Sequence, residues 1–241
     1  MNEYTFEKLG EGCELCVSKE HTFGTDAFLL ADFAKARHKD KCCDLGTGCG
    51  IIAVLLRLRY APSEVWGIDI QSAAIKQFDL TVENSGFDNV YPLCMDIKAL
   101  PGELPGGTFD LVTCNPPYKA AGAGMESLGE AHRIARHEIL CNIDDICRGA
   151  DRLLKYGGRL CLCSRPERLA DVICAMRENH IEPKTLSFVA KSPETPPWLF
   201  LIEGRKGGKP FMTVMPALYM NGGGISPELM KIYGNPCKED I

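Results

Sequence analysis

No stretch of the 241-residue chain reaches roughly 18 uninterrupted apolar residues, which excludes a membrane-spanning helix. The opening residues Met1-Asn2-Glu3-Tyr4 carry no basic region followed by an apolar core, so no secretory signal is expected. Positive charge is scarce. Lys and Arg total 27 against 32 Asp and Glu, and the net charge of −5 argues at first against a nucleic-acid partner. Cys13-Glu14-Leu15-Cys16 has half the spacing of a zinc site, but no second Cys-x-x-Cys or His-x-x-x-His completes it, so no metal is expected. Repeats and long linkers are also missing. With 45% hydrophobic residues, the chain can bury one sizeable core. One domain over 1–241 is expected, with 1–40 as a lead-in hairpin and helix and 41–241 as the core.

Cysteine, by contrast, is plentiful. There are 13, an odd number, and Cys42, Cys43, Cys94, Cys161 and Cys163 fall inside apolar runs. Such cysteines behave as small buried hydrophobes in a reducing compartment, so a cytoplasmic location is expected.

Asp44-Leu45-Gly46-Thr47-Gly48-Cys49-Gly50 stands between a short strand-like run from Lys41 and the helix-like run Ile51 to Leu56. Strand, glycine turn and helix form the entry to a nucleotide-type pocket in a doubly wound sheet. Gly46, Gly48 and Gly50 would let the backbone pass close under a ligand. Ile51 occupies the place of the third glycine in the dinucleotide fingerprint, which disfavours a pyrophosphate. Asp44 would repel a phosphate and attract a cationic ligand such as the sulfonium nucleoside S-adenosylmethionine. The strand Glu64 to Ile70 places Asp69 just over twenty residues beyond Gly46, which suits an acid on ribose hydroxyls; a helix N-cap role before Ser72 is the alternative. A third strand, Asn89 to Met95, leads to Asp96 and Ile97. Asp96 can accept from an adenine amino group while Ile97 covers the ring, or Asp96 is a solvated loop acid.

The strand Phe109 to Cys114 runs into Asn115-Pro116-Pro117-Tyr118. The Asn115 side-chain carbonyl and the Pro116 backbone carbonyl can each accept one hydrogen of a planar NH2 group. Two prolines remove backbone freedom before those acceptors are aimed. Tyr118 offers a ring on which a base can stack. Ligands in open α/β sheets bind at the carboxyl ends of the strands, so these four strand ends are expected to converge.

At these residues the chain resembles the class I methyltransferases that use S-adenosylmethionine, and more closely the bacterial tRNA adenine-N6 methyltransferases acting on valine tRNA beside the anticodon. Gly24 to Leu30, Ala135 to Glu138, Arg165 to Leu169 and Ile202 to Pro210 extend the resemblance over nearly the whole chain. It implies an α/β Rossmann-like sheet of seven strands, mostly parallel with an antiparallel last strand and helices on both faces. It implies that Gly24, Thr25 and Asp26 lean on the cofactor, beside Asp44, Gly46, Gly48, Gly50, Asp69, Ile70, Asp96, Ile97 and Asn115. Catalysis falls to Asn115, Pro116, Pro117 and Tyr118. Release-factor glutamine-N5 and ribosomal guanine-N2 methyltransferases share the chemistry of this turn and remain alternatives, as does a cofactor-binding module without catalysis. A tRNA partner is the expectation. Arg133 and Arg136, Arg165 and Arg168, and Arg205, Lys206 and Lys209 are candidate phosphate contacts, or else solvated faces.

Local signals complete the outline. A hairpin is expected over 4–19, and a helix capped by Thr25 or Asp26 running toward Arg37. Ser72 opens a helix that Gly86 ends, and Asn142 or Asp144 opens another that ends at Tyr156-Gly157-Gly158. Strands are expected at 159–163, 184–190 and 198–203, with a short last helix from Ser226. Lys119 to Met125, rich in glycine and alanine, is expected to act as a lid over the target nucleotide.

Overall fold

The computed structural model describes residues 4–10, 12–100, 102, 104–116, 142–220 and 232. Pro117, Tyr118, the expected lid, Arg133, Arg136 and the helix from Ser226 lie outside the described residues.

Period-two burial in the strands explains the layered architecture. In β3 (Lys41–Leu45) Cys42 belongs to one core and Cys43 and Leu45 to another. In β7 (Leu154–Ser164) Cys161 and Cys163 face the first core, and Leu160 and Leu162 the second. The first core is closed by α1 (Thr25–Ala34), α2 (Ile51–Tyr60) and α3 (Ser72–Ser85), the second by α4 (Ile143–Leu153) and α5 (Leu169–Glu178). The result is one sheet between two helical layers, with cysteines serving as small apolar residues on both faces.

Among the described residues the sheet has nine strands. Its central seven run in the order β8 (Ile181–Ala190), β9 (Leu199–Lys206), β7, β6 (Phe109–Cys114), β3, β4 (Glu64–Asp69) and β5 (Val90–Cys94). All neighbours are parallel except β9, which runs antiparallel to β7 and β8. The expected reversal of the last of the seven strands is therefore present. It follows from a proline-rich connection, 191–198, that turns back without a helix. Two further strands of two residues each, β10 (Thr213–Val214) and β11 (Leu218–Tyr219), pair with the outer edge of β8. They are too short to show alternation, so the pattern of the sequence does not announce them.

The lead-in hairpin forms as expected from β1 (Thr5–Gly10) and β2 (Cys13–Val17). It docks on α3, where the Cys16 amide donates to Thr81 Oγ1 at 2.9 Å and Gln77 Nε2 donates to the Cys16 carbonyl at 3.3 Å. Gly86, at φ 63°, ends α3 in the left-handed region, and Asn142 caps α4 in a reciprocal box with Asp145.

Three local expectations are corrected. Gly24, not Thr25 or Asp26, is the N-cap of α1, and no side-chain cap bond is made there. The helix stops at Ala34 rather than running to Arg37: Lys35 turns left-handed, and Arg159 donates to the carbonyls of Ala34 and Lys35, satisfying the helix end. Helix α4 ends at Leu153, short of Tyr156, because Leu153 and Leu154 are both fully buried and the chain enters the sheet at once. The extra residues leave as a bulge: Phe109 pairs with Leu154 but Leu111 with Arg159, and Gly157 supplies φ 80°.

Candidate active site

The register fixes which strand ends meet. Leu93, Ile68, Leu45, Cys114 and Leu162 lie in one row across five neighbouring strands. The next residues along each chain are Cys94, Asp69, Gly46, Asn115 and Cys163. The glycine turn, the acid after β4 and the proline turn therefore share one edge of the sheet.

The glycine turn is built by backbone conformation. Gly46, Gly48 and Gly50 have φ of 68°, 56° and 85°, a region that side-chain-bearing residues rarely adopt. A Cβ on Gly50 would collide with the Phe78 ring, whereas one on Gly46 or Gly48 would meet nothing within 4 Å. Gly50 is thus needed for packing, and Gly46 and Gly48 leave open space where a ligand can approach the backbone. Asp69, 6% exposed, ties this turn to the end of β4. Its Oδ2 accepts from the Gly48 amide at 3.0 Å and its Oδ1 from the Gln71 amide at 2.9 Å. Gln71 Nε2 also donates to Oδ1, at 3.4 Å, so Oδ1 serves the start of α3 while Oδ2 keeps a second lone pair for a ribose hydroxyl.

Asp44 is 1% exposed and sits under the turn. Its Oδ1 accepts from Thr113 Oγ1 at 2.7 Å, while its buried Oδ2 has no hydrogen-bond partner among the described residues. Burial pushes its carboxyl up to about 7, against the pull of the Thr113 hydroxyl and of the nearby Thr47 hydroxyl, which lies close to the acid without completing a well-formed hydrogen bond. An acid held in that state, with one oxygen unmatched, is suited to a donor or cation arriving from outside the chain.

Asn115 and Pro116 are half-buried at the end of β6. The Asn115 Oδ1 accepts from the Cys163 thiol at 3.0 Å. Sequence reasoning missed this role for Cys163, reading the residue as a small hydrophobe. Its signal was the parallel register, which makes residues 115 and 163 neighbours. Burial pushes the Cys163 thiol well up, and the carboxylates of Asp26, in α1, and Asp44 add to that. A Cβ at Gly24 would stand 2.5 Å from Asp26 Oδ1, so glycine is what lets that carboxylate fold back over the helix start. Ile70, 43% exposed, follows Asp69 at the rim.

Asp96 is drawn into a local task. Its Oδ1 accepts from the Lys98 amide at 2.9 Å and caps a short 3-10 turn, Ile97–Ala99. Ile97 is half-buried against α4, where Gly149 makes room for it. The basic candidates separate. Arg165 and Arg168 follow the end of β7 on the site edge, Arg165 lying 5.6 Å from the Trp198 ring and Arg168 pairing with Asp171 at 3.0 Å. Arg205, however, pairs in register with Arg159, at the opposite end of the strands from Asn115, and Lys206 is tied to Asp151 at 3.3 Å. The geometry therefore removes Arg205, Lys206 and Lys209 from the neighbourhood of the proline turn.

Seven strands in this order, the sixth and seventh reversed against each other, with a glycine turn and an acid at adjoining strand ends, define a Rossmann-like methyltransferase of class I. A family model described as a methyltransferase domain matches residues 36–194, and the chain belongs to that family. The chain is similar to proteins named tRNA1(Val) (adenine(37)-N6)-methyltransferase. The one from Parabacteroides distasonis is 29% identical over 203 residues, covering 83% of this chain and 82% of that protein. The one from Yersinia pseudotuberculosis (strain YPIII) is 27% identical over 161 residues, 66% of this chain and 62% of that protein. Among solved structures, a predicted O-methyltransferase from Agrobacterium tumefaciens superposes with a TM-score of 0.69 at 21% identity, covering 86% of this chain and 94% of that one. M. jannaschii TYW2 in complex with AdoMet gives 0.60 at 12% identity, over 85% and 86%. These last two likenesses concern the fold. Among the described residues no helix is long and apolar enough to cross a membrane.

Proposed function

We propose that the chain methylates the exocyclic N6 of an adenine in tRNA, near the anticodon, with S-adenosylmethionine as methyl donor. The observation that carries this reading is the shared row of strand ends, which sets the Asn115 carboxamide beside the glycine turn. The names of the similar proteins support the adenine and the tRNA.

The residues fit the donor. The backbone at Gly46 and Gly48 faces open space that a Cβ would enter, Asp44 keeps a buried oxygen without a hydrogen bond, and Asp69 Oδ2 keeps a lone pair for a ribose hydroxyl. Gly24, Thr25 and Asp26 close that space from α1, with Ile70, Asp96 and Ile97 at its adenine end. When bound, the donor supplies an electrophilic methyl group. The chain's own work lies on the acceptor. The N6 lone pair of adenine is delocalised into the ring and attacks poorly. Asn115 Oδ1 and the Pro116 carbonyl each accept one amino hydrogen, which favours tetrahedral nitrogen and turns its lone pair out of the plane. Positive charge developing on that nitrogen is stabilised by the same two oxygens, more in the transition state than before it. Pro117 and Tyr118 lie outside the described residues; the reading assigns them the stiffening of the turn and the stacking on the base. Positioning of this kind supplies about 7–11 kcal/mol in favourable cases. In this reading Arg165 and Arg168, which follow β7 on the site edge, are the candidates for phosphate contacts.

Incubation with labelled S-adenosylmethionine and, separately, total tRNA, ribosomal RNA, DNA and release factor tests the reading. Label is expected in tRNA, in N6-methyladenosine after digestion. Label in guanosine or in a glutamine peptide overturns the acceptor, and no label in any acceptor overturns the activity.

A further inference from the structure

The carboxamide that receives the amine has to show its oxygen, not its NH2, to the substrate. A terminal amide flips between these two orientations at little intrinsic cost, so a neighbour must choose one. In this molecule that neighbour is a thiol. Cys163 Sγ stands 3.0 Å from Asn115 Oδ1 and is fully buried on the first core face. We infer that Cys163 is a positioning residue: its S–H donates to Asn115 Oδ1, fixes the carboxamide with oxygen toward the acceptor cavity, and leaves that oxygen's second lone pair for the substrate amine. This rests on the reading that Asn115 receives the amine.

Three observations bear on it. The first is register: Leu162 pairs with Cys114, so the two side chains leave adjoining parallel strands at the same level. The second is protonation. Only the neutral thiol can donate, and burial pushes Cys163 well up, with the Asp26 and Asp44 carboxylates adding to that. The third is Asp44 Oδ2, buried on the same side of the sheet without a hydrogen bond among the described residues, which leaves polar capacity near the carboxamide for a ligand. A thiol also suits the task better than a hydroxyl or a charge. It is a weak donor, so it orients the oxygen without drawing away much of its capacity to accept, and it packs as a hydrophobe.

Two substitutions separate this role from packing. Cys163→Val keeps the bulk and removes the donor, whereas Cys163→Ser keeps a donor and loses apolar contact. In the full chain with tRNA, Val is expected to lower kcat about tenfold, the equivalent of one hydrogen bond. The KM for tRNA and the calorimetric Kd for S-adenosylmethionine should move by less than about twofold, since neither binding contact is touched. Ser is expected to keep kcat near wild type while melting at a lower temperature. A packing role predicts the reverse order, with Val better than Ser in kcat, and that result overturns the inference. A second readout does not depend on turnover. The Asn115 side-chain NH2 pair in a heteronuclear NMR spectrum should be unchanged in Ser and shifted or broadened in Val. An unchanged pair in Val overturns the thiol's role whatever the acceptor. Full kcat in Asn115→Ala overturns the reading of the site itself and is distinguishable from either outcome.

Discussion

The two ends of the same parallel strands treat charge in opposite ways. At the amino ends, ionised groups are matched. Lys41 meets Glu64 at 2.8 Å, Lys155 meets Asp110 at 2.8 Å, and Arg159 joins Asp40 at 3.5 Å and Glu203 at 3.0 Å. At the carboxyl ends, Asp44 is more deeply buried than any of these acids, yet one of its oxygens lacks a partner among the described residues. A buried carboxylate oxygen without a hydrogen bond costs about 1–3 kcal/mol. Asp151 Oδ1, at the amino ends, shares that lack but has Lys206 at 3.3 Å, whereas no cation pairs with Asp44 among the described residues. The paired end holds the sheet together, and in the proposed reading the donor completes the other end.

If that contrast is sound, substitutions at the two ends should separate activity from stability. The largest effect belongs to Asn115→Ala. It is expected to cut methyl transfer at saturating substrates by about 10²–10³-fold, as for loss of one preorganised group that stabilises developing charge. Cofactor affinity by calorimetry should hardly change. Lost cofactor binding with an unchanged saturated rate would put Asn115 on the donor instead. Arg159→Ala is the converse. It removes a cation, 11% exposed, from two carboxylates and from the carbonyls ending α1, so unfolding by denaturant should show a loss of about 3 kcal/mol. The kcat of the protein that remains folded should stay near wild type. A collapse of kcat at full stability would mean that the two ends are coupled.

How far the sequence anticipates this contrast depends on the kind of signal. The seven strands, the reversal of the last of them and the meeting of residues 44–50, 69 and 115 are legible, because apolar runs, glycine spacing, a proline-rich connection and a strand-ending acid are local patterns, whereas the strand order is a long-range property that they do not carry. The end of α4 is not, since Tyr156-Gly157-Gly158 carries a stop signal that the burial of Leu153 and Leu154 overrides. The cap of α1 is not, because Thr25 and Asp26 have cap chemistry and Gly24 has the cap position. Cys163 escapes for a different reason: its partner is 48 residues away, and the thiol's polar use is invisible where its apolar use already explains it. Arg205 looked like a substrate contact because charge clusters say nothing about which end of a strand they occupy.

Asp44 sharpens the contrast through pH. Its folded value, about 7, lies above the usual carboxylate value near 4 that it regains on unfolding. The folded state therefore holds a proton that the unfolded state has lost between about pH 4 and 7. The stability this group contributes is complete below the lower value and is lost as pH rises through the upper one. Denaturant titrations of the ligand-free protein should show this fall, and Asp44→Asn should flatten it. A cationic ligand draws the opposite way, because it binds the ionised acid. The affinity for S-adenosylmethionine should decline by up to about tenfold per pH unit as pH drops below 7, and Asp44→Asn should remove that slope. An affinity independent of pH in the wild type would show that the unmatched oxygen does not meet positive charge.

The smallest effect is the sharpest control, because it asks whether matching or burial makes the amino-end pairs matter. Lys155 donates to both oxygens of Asp110, at 2.8 and 2.9 Å, so its geometry is as good as that of Arg159. Its side chain is 45% exposed and that of Asp110 29%, so water already screens the pair. Asp110 keeps a second donor in the Lys41 amide at 2.9 Å. Lys155→Ala should therefore cost less than about 1 kcal/mol in unfolding by urea, an amount that shrinks further in added salt, and leave methyl transfer untouched. A loss equal to that of Arg159→Ala would mean that pairing itself, regardless of exposure, holds this end. The contrast between the ends would then rest on charge count rather than on what the fold shields from water.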